Sequence, residues 1–149
     1  MRVADWLKTQ GKHMFADRRA KLMGQPLRDH YLVKPETCGR VTEHTSLPDA
    51  VPGWRLFGGA WDVQTNRQGK GIVVADSDDH IVGWGLVGYP TKLDPVKLPE
   101  GFRSMNKRYA GWKAYMQSLA GKDAPYRAYL VRHTLGKVDA VCPLASDLP

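Results

Sequence analysis

The glycines of Gly83-Trp-Gly-Leu-Val-Gly88 stand at the GxGxxG spacing with which a strand-to-helix turn cradles a dinucleotide pyrophosphate. That chemistry needs a helix N-terminus directly after the last glycine, and here Tyr89-Pro90 follow. The segment therefore reads as a glycine-bearing strand against which tryptophan packs. Asp76, Asp78 and Asp79 open like a calcium loop, but Ile81 stands where such a loop needs glycine and Val87 where it needs glutamate. The reading is a solvated hairpin tip, with a weak divalent-ion site including His80 as its functional counterpart. Cys38, His44 and Cys142 are zinc-ligand types, yet one Cys-x5-His spacing with no second close pair does not make a structural zinc site. A cysteine nucleophile needs a histidine within hydrogen-bond reach. Nothing in the linear order brings His13, His30, His44, His80 or His133 to either thiol, so no catalytic residue, cofactor or metal is assigned.

Cations interleaved with aromatics are the remaining chemistry. Phe102, Met105, Tyr109, Trp112, Met116 and Leu119 recur at alternating spacings of three and four, which predicts a helix over 101–121 with these six on one stripe. Arg103 and Lys107 then fall opposite the stripe, with Arg108 and Lys113 on its flanks. No carboxylate lies between Gly101 and Lys122, so the exposed face is expected to be positive. Tyr109 and Trp112 lie on the apolar stripe and read as core, while Tyr115 points away from it. A second set, Arg127, Tyr129, Val131 and His133, shares one face of a strand by period two and offers a possible contact surface.

Other elements must position these groups. Val3, Trp6, Leu7, Met14, Phe15, Leu22 and Met23 predict an N-terminal helix over roughly 3–23, stopped by Gly24 and Pro26. Arg18, Arg19 and Lys21 sit at its C-terminal end, where they complement the helix dipole or contact phosphate. Strand is expected at 30–34, briefly at 40–45, and at 54–63, with a loop filling most of 36–53. The apolar runs 71–75 and 81–87, joined by Asp76-Ser-Asp-Asp-His80, read as a β-hairpin with an acidic tip, and 126–133 with 137–142 as a last hairpin. The expected fold is a single α+β domain over 1–149. Its mainly antiparallel sheet of about four to six strands carries the N-terminal helix and the helix near 101–121 on one face.

The stretch Ile72 to Val87 resembles the central hairpin of the GNAT-type acyltransferases, in which a strand, an acidic turn and an "IVG" strand recur. Membership would imply an acyl-CoA cofactor held by an Arg/Gln-x-x-Gly-x-Gly/Ala loop entering a helix. The nearest counterpart here, Asn66-Arg-Gln-Gly-Lys-Gly71, precedes the hairpin and leads into a strand. The resemblance stops at the hairpin.

The chain has 149 residues, 42% of them apolar, enough for one core without metal or disulfide. Cys38 and Cys142 are expected to be free thiols, consistent with a reducing, cytoplasmic location. No run of about 18 apolar residues suggests a membrane span. The net charge of +7 is segregated: residues 1–34 carry eight Lys and Arg against three acids, 35–90 four against seven, and 91–137 ten against three. A segregated basic surface raises the local concentration of polyanions. The sequence thus predicts a small non-enzymatic binding protein, nucleic-acid-associated through Arg18, Arg19, Lys21, Arg103, Lys107, Arg108 and Lys113. The alternatives are a domain binding an acidic protein surface as partner or inhibitor, and an enzyme with an unrecognised site.

Overall fold

A computed structural model describes residues 21–47, 53–62, 64–90, 109–117, 125–133, 136 and 138–146. They form β1 (Leu32–Val33), β2 (Gly39–Ser46), β3 (Gly53–Ala60), β4 (Gly71–Asp76), β5 (Ile81–Tyr89), β6 (Gly111–Gln117), β7 (Tyr126–Val131), β8 (Ala140–Pro143) and β9 (Ala145–Ser146). The described residues hold little helix: Lys21 and Leu22, and one 3-10 turn over Leu27–Asp29. The α+β expectation with helices packed on a sheet is therefore overturned. The described residues are nearly all β, and they form a sheet of nine strands rather than four to six.

The sharpest correction falls on the helix predicted over 101–121. Residues 111–117 are β6, inserted between β3 and β5 and antiparallel to both; residues 101–108 and 118–121 lie outside the described residues, as do 3–20 of the predicted N-terminal helix. The ambiguity is physical. Trp112 and Met116 are four apart, which puts them on one face of a helix and equally on one face of a strand. What decides is the intervening register: Ala110, Trp112, Ala114 and Met116 are all buried, whereas Lys113, Tyr115 and Gln117 are only partly so. With a backbone ladder on each side and a glycine at its start, the segment follows its partners rather than its local helical spacing.

The sheet runs β1-β8-β7-β4-β5-β6-β3-β2-β9. Only Leu144 separates β8 from β9, although β9 forms one edge and β8 lies next to the other. That one-residue link draws the edges together and curls the sheet. Cys38 donates its backbone N–H to Pro143 O at 3.0 Å across the seam, and Leu144 donates to Ala128 O at 2.9 Å. Cys38 and Cys142 form a disulfide at the same place, across a sequence separation of 104. This overturns the free-thiol expectation. Neighbours this remote in sequence become visible only through the topology that joins the sheet's ends.

Both faces are packed. Val41, Leu56, Ile72, Val74, Val82, Trp112, Ala114, Met116, Ala128, Leu130 and Cys142 form one cluster. It draws on every strand of the order from β8 to β2, and only the inside of a curled sheet can bring them together. The outer face of β4, β5, β7 and β8 presents Val73, Ile81, Trp84, Tyr129, Val131 and Val141 to a strap that supplies Leu22, Met23, Leu27 and Tyr31. Gly24 N–H donates to Ile81 O and Leu27 N–H to Asp79 O, both at 2.7 Å, fastening the strap to the predicted acidic-tipped hairpin. Double-sided burial explains why 71–75 and 81–85 are apolar runs without alternation.

A candidate binding surface on the outer face of the sheet

β3 turns Leu56 inward and Arg55 and Phe57 outward, while β6 turns Trp112 and Ala114 inward and Lys113 and Tyr115 outward. The register sets Phe57 opposite Lys113 and Arg55 opposite Tyr115. The third contributor is Tyr89 of β5, where the pairing shifts between Val87 and Tyr89 and Gly88 takes a φ of 93°. A side chain at position 88 would be strained there, so glycine permits the bulge that re-aims Tyr89.

The result is a ladder of rings and cations. Lys113 Nζ lies 4.8 Å from the Tyr89 ring centroid and 5.6 Å from that of Phe57. The Arg55 guanidinium carbon lies 5.2 Å from the same Phe57 centroid. Each contact contributes about 0.5–1 kcal/mol at an exposed site, which orients a cation without neutralising it. No carboxylate of the described residues pairs with Lys113. Beside the ladder is a cleft of about 120 Å³, lined by Thr42, Glu43, Phe57, Tyr89, Gly111 and Lys113 among others. Its walls are mostly aromatic and aliphatic, with Lys113 as its cation and Glu43 on its exposed side.

Of the residues the sequence singled out, Arg18, Arg19, Arg103, Lys107 and Arg108 lie outside the described residues. Lys21 is exposed at the start of the strap. Lys113 sits on a strand rather than a helix flank, and its neighbours Arg55, Phe57 and Tyr89 were not anticipated. The period-two outward positions of 53–60 held the signal for the first two. Tyr109, expected in the core, is 51% exposed, whereas Trp112 is buried as expected. Arg127, Tyr129 and Val131 do share a face, but Tyr129 and Val131 are buried under the strap, so that face is no contact surface.

The motifs weighed for chemistry resolve structurally. Asp76 Oδ1 accepts backbone N–H bonds from Asp78 and His80, each at 2.9 Å, and Asp79 turns at φ 65° beside Arg28 at 3.2 Å. Ligand atoms of Asp76, Asp78 and His80 lie within 4.8 Å of one another, but the turn itself already uses the central carboxylate. Gly83 and Gly85 lie within β5; a Cβ on Gly85 would fall on the Lys113 carbonyl oxygen. With both sulfurs in a disulfide, neither thiolate is available as zinc ligand or nucleophile. Asp62 and Arg132, 1% and 7% exposed, form an ion pair with Nε 3.3 Å from Oδ1, and Arg132 also donates to Gln64 Oε1. Among the described residues no helix is long and apolar enough to cross a membrane. Neither protein-family models, nor curated proteins, nor solved structures give a match to this chain.

Proposed function

We propose that this protein is a non-enzymatic binding module that holds single-stranded nucleic acid on the outer face of β3, β5 and β6. The observation that carries the reading is Lys113 within reach of both the Phe57 and Tyr89 rings, with Arg55 also over Phe57. Unpaired bases stack on exposed rings for roughly 1–3 kcal/mol each, and the cations meet the phosphates that alternate with them. The net charge of +7 adds long-range attraction for a polyanion. Duplex hides its base faces, so a surface that stacks bases on aromatic rings favours single strands. The disulfide supports an oxidising compartment in place of the cytoplasmic one expected from the sequence. It also favours a second reading, in which an acidic glycan takes the same surface.

Fluorescence anisotropy of labelled single- and double-stranded oligonucleotides at about 50 and about 200 mM salt tests this, because phosphate-driven binding falls steeply over that range. Preference for the single strand with a steep salt slope is expected. Absence of binding at the lower salt overturns the nucleic-acid reading, and if a heparin fragment then binds, the glycan reading replaces it.

A further inference from the structure

The described residues hold a second cleft. It is an open depression of about 660 Å³ lined by Trp61, Asn66, Arg67, Gln68, Lys70 and His133. Two of its polar side chains are engaged: Lys70 pairs with Asp139 at 2.9 Å, and the Trp61 indole N–H donates to Asn66 Oδ1 at 3.4 Å. Arg67 is exposed and forms no ion pair among the described residues. The depression therefore offers an available guanidinium and a partly exposed indole, the same residue types as the first cleft.

Gln68 links the two. Gln68, which lines the second cleft, donates its amide to Tyr109 O at 2.9 Å, and its Oε1 lies 3.4 Å from where a Cβ on Gly88 would stand. Gly88 precedes Tyr89, and Tyr109 lies two residues before Gly111; Tyr89 and Gly111 both line the first cleft. Tyr109, whose carbonyl accepts that bond, is itself exposed. Arg55, Phe57, Lys113 and Tyr89 thus stand on one side of Gln68, and Arg67 and Trp61 line the cleft on its other side.

We infer that the two clefts form one track, so that the ligand is a polymer occupying both stations rather than a mononucleotide or short fragment held in the first. The inference rests on the nucleic-acid reading above. A second station reached by the same strand binds at a high effective concentration, so affinity rises with length until both are filled. Arg67, which the sequence did not single out, becomes a binding residue for long ligands only.

The test uses oligothymidylates of about 4 and about 16 nucleotides, bracketing the site sizes of single-strand-binding folds. They are titrated with the wild-type chain, Arg67→Gln and Arg67→Lys, each verified as folded by circular dichroism. The track predicts tighter binding of the longer strand. It also predicts that Arg67→Gln weakens only that strand and lowers its salt slope by about 0.7, one phosphate contact, with Arg67→Lys restoring the slope. Equal affinity for both lengths, or a longer strand indifferent to Arg67→Gln, overturns the track while leaving the first cleft intact. Failure of both lengths to bind overturns the nucleic-acid reading itself, and the track with it.

Discussion

Asp62 and Arg132 join the end of β3 to the end of β7 as a buried pair. Removing one charge strands the other, so Asp62→Ala is expected to lower unfolding free energy by about 3–5 kcal/mol, measured by urea denaturation. A loss below about 1 kcal/mol would show that water reaches the pair. Tyr126 is the opposite case. Its hydroxyl is buried without a hydrogen-bond partner among the described residues, and burial raises its pKa above the ordinary 10.0. The unfolded chain ionises first, so this contribution to stability is intact below pH 10 and lost as pH rises through the folded value. Tyr126→Phe should be nearly neutral at pH 7 and should flatten that alkaline decline, as followed by denaturation at stepped pH; an unchanged decline assigns it to other groups. Neither role was legible in the sequence, because Asp62 pairs 70 positions away with Arg132 and nothing local marks Tyr126 as unpartnered. Lys113, the cation of the proposed site, was singled out in the sequence, but its ring partners come from two other strands.

At the scale of elements, apolar runs and turn chemistry located several strands: the 71–87 hairpin with its acidic tip, the strand beginning near 54, and the final hairpin all fold where those signals put them. The error at 111–117 arose because a spacing of four satisfies both periods, and only the flanking ladders separate them. Gly85 makes that pairing possible. A side chain there would collide with the backbone of Lys113 and the Ala114 methyl, neither of which can swing away. Gly85→Val is expected to cost about 3 kcal/mol, the upper end of overpacking, and to displace Lys113 from its rings. Denaturation together with oligonucleotide binding checks both effects; a stable variant with normal binding would mean that β5 and β6 are paired less closely than described.

For the whole molecule, the curled sheet is closed at one seam, where the disulfide spans 104 positions. Constraining a loop of about 100 residues stabilises by about 4.7 kcal/mol in the chain-entropy view, so the reduced protein should unfold at clearly lower denaturant than the oxidised one. Coincident transitions would show that the seam's hydrogen bonds and side-chain packing suffice. Closure could not be read from the sequence, since it depends on where the two ends of a nine-strand order meet. The outer face of β3, β5 and β6 is the proposed binding surface, but a net charge of +7 would attract a polyanion to any face. Lys113→Met and Arg127→Met remove the same charge, but Arg127 is exposed on β7, separated from β6 by β4 and β5. The decisive measurement is oligothymidylate affinity of these two variants at one salt concentration. Loss of a charged contact predicts roughly tenfold weaker binding for Lys113→Met and near wild-type binding for Arg127→Met, whereas equal loss in both would contradict a site on the face of β3, β5 and β6.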